Sequence, residues 1–355
     1  MSGLNSSPSS SNSVSPLRQQ GTVLPALMPA VLQKGYGGPD VLQVEEIPLP
    51  RVTEKQVLVR VHAAGVAKGA WHIMTGTPYL LRAAFGLRTP RQRVAGHNLA
   101  GTVVAGGSGT SRFRPGDRVY GIGRGSFAGY AAALESKLAP MPSHLDFEQA
   151  AGVPVSGLTA LRAVSDVARV SSGQRVLVLG ASGGVGSIAV QLAVAAGAEV
   201  TGVCSAGKAG FVLGLGARKV LDYRTEDFAA VAGTYDVVID IAGNPSLARL
   251  RRALAPGGTA VLVGGEEGGR LTGGMIQRQI RARILSLFDR SHRQLRAALA
   301  KESGSELERL SPLLDSGALV PRIDSRYPLD EIAAAMQRLE SGKVQGSIVL
   351  SVPGD

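Results

Sequence analysis

The chain has 355 residues, 44% hydrophobic and 18% charged, which excludes a wholly disordered chain and fits two domains with buried cores. A single cysteine, Cys204, excludes a disulfide scaffold and a multi-cysteine zinc module. The net charge of +11 suits phosphate-bearing ligands, nucleic acid or anionic membranes, but no uncharged apolar run is long enough to predict a membrane span.

The first part of the chain changes from a polar tail to a β-rich region. Residues 1–27 are rich in Ser, Asn and Pro and predict a disordered tail. They contain neither a secretory signal nor an arginine-rich presequence, which favours the cytoplasm. From residue 28 to 154, short runs separated by glycine predict a barrel-like domain. Its strands include residues 57–61, which alternate as in a half-buried strand, and 99–105.

From residue 155 onward, short apolar runs alternate with segments of helical length, which predicts βαβ units and a parallel sheet. The predicted strands are residues 175–179, 200–204, 220–221, 236–240 and 259–263. A helix is predicted over residues 186–196, and the chain closes with a helix over 329–339 and a strand over 347–352.

The segment V-L-V-L-G-A-S-G-G-V-G, residues 176–186, follows the first of these strands and opens the helix. Small residues let the backbone approach a pyrophosphate, and the helix N-terminus offers free N–H groups and a positive dipole end. The segment therefore predicts a dinucleotide site built from Gly180, Ala181, Ser182, Gly183, Gly184, Val185 and Gly186. Ala181 takes the place of the first glycine of the usual motif.

The residues after the second strand select the dinucleotide. A site for NADH places a carboxylate there, but no acid lies between Glu199 and Asp222. Ser205 and Lys208 stand there instead, and a hydroxyl and an ammonium can hold a 2′-phosphate. The sequence favours NADPH.

Several motifs in order carry a resemblance to a known family. They are V-A-G-H-N-L-A-G-T-V (94–103), F-R-P-G-D-R-V-Y-G (113–121), A-A-G-V-P-V-S-G-L-T-A (150–160), G-A-S-G-G-V-G-S-I-A-V-Q-L-A (180–193), L-G-A-R-K-V-L-D-Y (215–223) and G-G-T-A-V-L-V-G-G (257–265). From about residue 31 to 352 the chain resembles the medium-chain dehydrogenase/reductase superfamily. The similarity is to its zinc-free, quinone-oxidoreductase-like branch of NADPH:quinone and enone reductases.

The resemblance implies an α/β fold of two domains with the active site between them. A GroES-like β-barrel catalytic domain would comprise residues 28–154 and 300–355, and a Rossmann domain with a doubly wound parallel sheet would comprise 155–299. It further implies NADPH as cofactor, a small-molecule substrate and a homodimer, joined through Rossmann edge strands such as 259–263. Residues matching family positions around the cofactor are Thr159, Lys208, Tyr223, Ala242, Val263, Gly264 and Gly265, with Ser205 beside them. Lys343 lies near a further, basic contact of the family, with Gly342 as the alternative for the matched place.

The same comparison excludes zinc and points to an unusual substrate. Ala67 stands where zinc-dependent relatives have a catalytic cysteine, and His97 has no partner ligands, so we expect no metal. Relatives of the zinc-free branch often have Asn and Asp at the places of Ala67 and Ala70, Asp at Asn98 and Glu at Gly129. These losses of polar groups predict a bulkier, more apolar substrate.

Hydride transfer from NADPH to an enone or quinone needs a hydrogen-bond donor for the developing oxyanion and a source of a proton. The candidates are His72, Tyr79 and Asn98, with His97, Ser126 and Tyr130 as further polar groups in this domain. His72 lies near a place where relatives often have a tyrosine. The predicted function is zinc-independent, NADPH-dependent reduction of a quinone or an α,β-unsaturated carbonyl.

Two alternatives remain open from the sequence. One is a dedicated biosynthetic enzyme that binds NADPH and a larger apolar substrate. The other is a non-catalytic member of the family that binds NADPH or RNA. The arginine cluster over residues 270–296 is the feature that suggests RNA binding. That cluster lacks interleaved aromatic residues, so binding of nucleic acid is disfavoured.

Overall fold

A computed structural model describes residues 24–242, 245–264, 278, 281–282 and 292–353. Residues 1–23 of the predicted tail lie outside this range. Leu27 already begins the first strand, so the tail prediction was wrong at its last residue. Within the described residues, no helix combines the length and apolarity needed to cross a membrane.

The strands, in chain order, are β1 (Leu27–Gln33), β2 (Leu42–Pro48), β3 (Gln56–Val66), β4 (Asn98–Gly106), β5 (Arg118–Ile122), β6 (Tyr130–Leu134), β7 (Leu138–Pro140), β8 (Arg175–Leu179), β9 (Glu199–Cys204), β10 (Lys219–Asp222), β11 (Tyr235–Asp240), β12 (Leu254–Leu262), β13 (Gln294–Ala297), β14 (Ile323–Pro328) and β15 (Ser347–Ser351). The described α-helices are α1 (Lys68–Thr75), α2 (Leu81–Phe85), α3 (Phe147–Ala151), α4 (Pro154–Leu161), α5 (Gly184–Ala195), α6 (Ala209–Leu213), α7 (Leu247–Ala253), α8 (Gly304–Glu308), α9 (Ser311–Asp315) and α10 (Ile332–Glu340). Short 3₁₀ segments are Pro39–Val41, Glu135–Lys137, Ala206–Lys208 and Leu329–Glu331, and a π-helical turn, Arg162–Val167, continues α4.

The first domain is built on a seven-stranded sheet in the order β14-β15-β3-β4-β5-β7, with β6 paired to β3. Strand β3 is its centre. The alternation over 57–61 predicted one buried face, but Val57, Leu58 and Val59 are all fully buried. Val57 and Val59 belong to the main core of this domain, whereas Leu58 packs in a second cluster with Met28 and Tyr130. The predicted half-buried strand is therefore buried on both faces.

The second domain is a six-stranded, all-parallel sheet in the order β10-β9-β8-β11-β12-β13. Counted from β8, this is the order 3-2-1-4-5-6 of a doubly wound dinucleotide-binding fold. Two α/β domains, one barrel-like and one Rossmann-like, were predicted, and this fold class is confirmed. Strand β13 was missed by the sequence analysis, and it covers β12, so residues 259–263 do not form a free edge of the sheet.

The C-terminal segment joins the two domains. Strand β15 pairs antiparallel with β3 in the first sheet. Just before it, the N–H of Gly346 donates to the carbonyl of Ser182 in the glycine-rich loop at 2.8 Å, and Gly346 forms a bridge with Gly183. One segment therefore places the glycine-rich loop against the first domain.

Candidate active site

The glycine-rich loop lies at the carboxyl end of β8. Gly180 has a φ of +82°, a left-handed conformation that suits glycine, and its N–H and that of Ala181 both donate to the carbonyl of Val203 at 3.1 Å. A Cβ on Gly186 would lie 2.1 Å from the carbonyl oxygen of Gly180. Helix α5 can therefore approach the strand this closely only because residue 186 is glycine.

The N-terminus of α5 is available for a phosphate. Its N-cap is Gly183, which supplies no side-chain hydrogen bond, whereas α3 is capped by Asp146 and α7 by Ser246. The first N–H groups of a helix have no intrahelical acceptor, so those of α5 are free to bind an anion. A Cβ on Gly183 would have no atom closer than 3.9 Å, which leaves open space for a ligand next to the backbone. The loop fits a dinucleotide pyrophosphate.

Lys208 and its neighbours gather at the end of β9. Ser205 precedes the 3₁₀ turn, and the half-buried Lys208 ammonium donates to the carbonyls of Gly342 at 2.6 Å and Val344 at 3.1 Å. Burial lowers the pKa of Lys208. Tyr223 is 60% exposed, and its N–H donates to the carbonyl of Cys204 at 3.3 Å. The group fits a 2′-phosphate provided that Lys208 shares or releases its two carbonyl partners.

Lys343 lies in the chain between Gly342 and Val344, whose carbonyls accept from Lys208, and its side chain is exposed. Ser205, Lys208, Tyr223 and the segment around Lys343 thus lie at one corner of the second domain. The expected contact through Lys343 is not tested by this arrangement and stays a prediction.

The ends of β8, β11 and β12 converge beside the glycine-rich loop. The N–H of Ala242 donates to the carbonyl of Leu179 at 3.2 Å. The N–H groups of Val263 and Gly264 donate to the carbonyl of Asp240 at 2.9 and 3.1 Å. Gly265, the last predicted residue of this set, lies outside the described residues.

A buried ion pair supports these strand ends. The Asp240 side chain is fully buried, and the Arg278 guanidinium donates to its carboxylate. Arg278 also donates to the carbonyl of Pro245 at 2.8 Å. Arg278 is one of the arginines of the 270–296 cluster, so its charge is directed into the domain rather than towards a nucleic acid. Arg270, Arg283 and Arg290 of that cluster lie outside the described residues.

A cavity of about 330 Å³ opens in the first domain where it meets the second. Its lining is mostly apolar and comes from the end of β3, from α1 and α2, and from the start of α4. The lining residues are Gly65, Ala67, Gly69, Ala70, His72, Ile73, Leu81, Phe85, His97, Asn98, Val155 and Glu302. We call this space the cleft cavity.

The cleft cavity and the glycine-rich loop meet at the start of α4. Val155 lines the cavity, and the hydroxyl of the next residue, Ser156, would lie 3.0 Å from a Cβ on Gly184. One turn further along α4, the Thr159 hydroxyl donates to the carbonyl of Val155 at 2.7 Å. A ligand on the glycine-rich loop would therefore have the cavity beside it.

The predicted catalytic residues have different surroundings. Asn98 is 3% exposed, and its Oδ1 accepts from the N–H of Val155 at 3.3 Å. Among the described residues, none accepts a hydrogen bond from its Nδ2, which leaves a donor on a cavity-lining side chain. His72 also lines the cavity, and its Nδ1 contacts the carbonyl of Thr77 at 2.8 Å. A carbonyl can only accept, so Nδ1 carries the proton and Nε2 is left for other contacts.

Tyr79 and the remaining polar candidates lie elsewhere. Tyr79 is not part of the cavity lining; it is 42% exposed, with the Arg82 guanidinium 4.6 Å above its ring. Ser126 is fully buried, and Tyr130 is buried in a core cluster. His97 does line the cavity. Burial and the positive charge of Lys137 lower the pKa of His97, against the opposing effect of Glu302.

The structure also bears on the metal prediction. Across the residues that it describes, no group of three or more His, Cys, Asp or Glu side chains is arranged to hold a metal ion. Ala67 is the N-cap residue of α1 and, with Ala70, contributes only methyl groups to the cavity wall.

Comparison with known proteins agrees with this geometry. Residues 53–143 match the family described as "Alcohol dehydrogenase GroES-like domain" and residues 215–350 match that described as "Zinc-binding dehydrogenase". The quinone oxidoreductase of Homo sapiens is 32% identical, with 91% of this chain and 98% of that protein covered. The NADPH-dependent alkenal/one oxidoreductase of Arabidopsis thaliana is 31% identical, with 92% and 80% covered. The chain belongs to the quinone-oxidoreductase-like medium-chain dehydrogenases/reductases.

A solved structure extends the likeness to the whole fold. The quinone oxidoreductase from Coxiella burnetii superposes with a TM-score of 0.80 at 29% identity, covering 92% of this chain and all of that one. The resemblance inferred from sequence is thus confirmed, and the protein is an oxidoreductase. Members of this family use a nicotinamide cofactor, which the glycine-rich loop fits.

Within this oxidoreductase, the departures from the family pattern have different consequences. Ala67, Ala70 and Asn98 all line the cleft cavity, so three of the predicted polar losses bear directly on it. Gly129 does not line it; its neighbours are Met28 and Pro29 of β1. The interpretation of Gly129 as a substrate-site change was therefore wrong.

The sequence analysis missed half of the cavity wall. Leu81 and Phe85 of α2 line it, as does Glu302, which comes from a distant part of the chain. The run Tyr79–Phe85 was a usable signal, because apolar residues there precede a glycine at 86 as at a helix end. No local signal pointed to Glu302.

Proposed function

We propose that this oxidoreductase is a zinc-independent, NADPH-dependent reductase of α,β-unsaturated carbonyl compounds or quinones. The observation that carries the proposal is the meeting of an apolar cavity with a phosphate-binding loop at Val155 and Ser156. The relatives named for alkenal/one and quinone reduction support it.

Bound NADPH would supply the hydride, two electrons and one hydrogen, to the β-carbon of the acceptor. The double-bond electrons then move to the carbonyl oxygen, giving an enolate, and the α-carbon takes up a proton from water to yield the saturated carbonyl. In this proposal the Nδ2 of Asn98 donates a hydrogen bond to the enolate oxygen. The small side chains of Ala67 and Ala70 give the acceptor room.

The proposed preference for NADPH rests on the corner formed by Ser205, Lys208 and Tyr223. No carboxylate follows β9 directly. A carboxylate there would accept a hydrogen bond from the ribose 2′-hydroxyl of NADH and would repel the 2′-phosphate of NADPH. The ammonium of Lys208 supplies positive charge there.

The test is cofactor oxidation with a panel of quinones, 2-alkenals and cyclic enones, with NADPH and NADH in parallel. We expect turnover with NADPH and little with NADH, unchanged after dialysis against a chelator. Tight NADPH binding without turnover of any acceptor would overturn the reductase proposal and favour a dedicated substrate or a non-catalytic role. Activity lost to the chelator and restored by Zn²⁺ would overturn zinc independence.

A homodimer and a cytoplasmic location stay predictions from the sequence and the family resemblance. Among the described strands, the edges of the Rossmann sheet are β10 and β13 rather than β12. We propose that dimerisation, where it occurs, uses one of these edges. Light scattering that finds a monomer at micromolar concentration would refute the dimer.

A further inference from the structure

A second, larger space adjoins the cleft cavity. It has a volume of about 820 Å³ and lies along the first sheet, open to solvent. Its lining residues are Thr53, Gln56, Ala84, Phe85, Arg91, Gln92, His97, Ile122, Gly123, Arg124, Ala132, Ala133, Leu134, Lys137 and Glu302. Phe85, His97 and Glu302 line both spaces, so they form the neck between them. We call this second space the barrel groove.

The barrel groove is positively charged. Its cations are Arg91, Arg124 and Lys137, and its one carboxylate, Glu302, pairs with Lys137 at 2.6 Å. Arg91 and Arg124 are both exposed, and neither guanidinium has an ion-pair partner among the residues that the structure describes. The groove therefore carries two uncompensated positive charges.

The wider sequence increases this positive potential. Between Glu54 and Asp117 the chain has nine Lys or Arg residues and no Asp or Glu. A concave surface with charge of one sign raises the local concentration of ligands of the opposite sign.

The two arginines are held by their backbones. The N–H of Arg91 donates to the carbonyl of Phe85 at 2.7 Å, which ties Arg91 to the neck. The N–H of Arg124 donates to the carbonyl of Ala132 in β6 at 3.1 Å. The lining also includes apolar side chains such as Ile122 and Leu134. A partly apolar groove that adjoins a reaction cavity and carries two arginines with anchored backbones matches an elongated molecule with an anionic end.

We propose that the barrel groove is the substrate-tail subsite of this reductase. Its ligand is an unsaturated carbonyl compound whose reactive end occupies the cleft cavity and whose apolar tail ends in a carboxylate or a phosphate bound by Arg91 and Arg124. The assignment of a reactive end rests on the proposed function, whereas the anion subsite does not. It also gives a reason for the small residues Ala67 and Ala70, because a chain-bearing acceptor needs room beside the neck.

The kinetic test compares pairs of acceptors of equal length, a neutral 2-alkenal and its ω-carboxy counterpart, over a series of chain lengths at saturating NADPH. At the best length we expect the carboxylate to raise kcat/KM about tenfold, and added salt to reduce the gain. The double variant Arg91→Gln/Arg124→Gln should lose the preference and keep its activity on the neutral alkenal. Arg88→Gln is the matched control, since Arg88 is exposed on the same segment but does not line the groove.

A binding test that needs no turnover separates the subsite from the reaction. Calorimetry would measure the binding of a saturated dicarboxylate and of an alkyl phosphate of the best length to the wild type, the double variant and Arg88→Gln. We expect binding about tenfold weaker in the double variant only. The tighter of the two ligands identifies carboxylate or phosphate as the natural end group.

The outcomes are distinct. Equal binding by the wild type and the double variant overturns the anion subsite. Turnover of neutral alkenals without any preference for a charged tail also overturns it, while the proposed reductase function stands. Discriminating binding with no turnover of any enone, alkenal or quinone supports the subsite and overturns the proposed function.

Discussion

Replacing Lys208 by alanine removes the one ammonium at the end of β9 and should change cofactor choice. A hydrogen bond to a charged group contributes about 1.5–3 kcal/mol. The lower end applies here, because Lys208 is half-buried and its ammonium already donates to the carbonyls of Gly342 and Val344. The 2′-phosphate would therefore share this ammonium with the two carbonyls. About 1.5 kcal/mol corresponds to a roughly tenfold loss of kcat/KM for NADPH, with NADH kinetics unchanged.

The assay is the ratio of kcat/KM for NADPH to that for NADH, with one acceptor and with Lys219→Ala as control. Lys219 is exposed and begins β10, at the opposite end of the sheet from the glycine-rich loop. An equal fall for both cofactors would refute the reasoning, because it would mean that Lys208 acts only by holding the segment around Gly342.

The pKa of Lys208 adds a pH dependence to this prediction. Burial disfavours its charged form and lowers the pKa, and the phosphate binds the charged form. In the wild type, the preference for NADPH should therefore fall as the pH rises through this lowered pKa, before an ordinary lysine would lose its charge. A preference in Lys208→Ala that followed the same pH profile would contradict this assignment.

Four further substitutions test other parts of the site. Gly186→Ala should lower the free energy of unfolding by about 1–3 kcal/mol, because the new Cβ would meet the Gly180 carbonyl, whereas Gly183→Ala should leave thermal stability unchanged and weaken NADPH binding. Asn98→Ala should lower kcat about a hundredfold, with the KM for NADPH unchanged; an unaltered kcat would exclude Asn98 as the oxyanion donor. Arg278→Met should lower the free energy of unfolding in chemical denaturation by about 3–5 kcal/mol, because it removes the guanidinium that pairs with the buried Asp240 carboxylate; an unchanged free energy of unfolding would contradict this.

The order of elements along the chain was enough to predict the fold class. Residues 175–179 and 236–240 are apolar runs that only a doubly covered sheet can bury, and both appear as central strands within a residue of the predicted bounds. Strand β13 was missed because only its second residue, Leu295, is buried, so it has no apolar run of its own. It is a strand because β12 offers it a free edge.

The cofactor loop was predictable from local sequence, because its requirements are local. Position 180 has a left-handed φ, and position 186 has no room for a Cβ, so both require glycine. Both requirements arise in the turn between one strand and the next helix. The same applies to the missing carboxylate after β9, which can be read directly from residues 204–208.

The cleft cavity was decided by tertiary structure. His72 and Asn98 line it and Tyr79 does not, although all three were candidates in the sequence. Glu302 reaches the neck from a segment about 200 residues beyond His97, and Lys137 pairs with it there. The sequence by itself therefore determined the family, the two domains and the phosphate-binding loop, since these depend on neighbours along the chain. Which side chains face the substrate, and where uncompensated charge remains, depends on contacts between distant segments, and only the folded chain decides those.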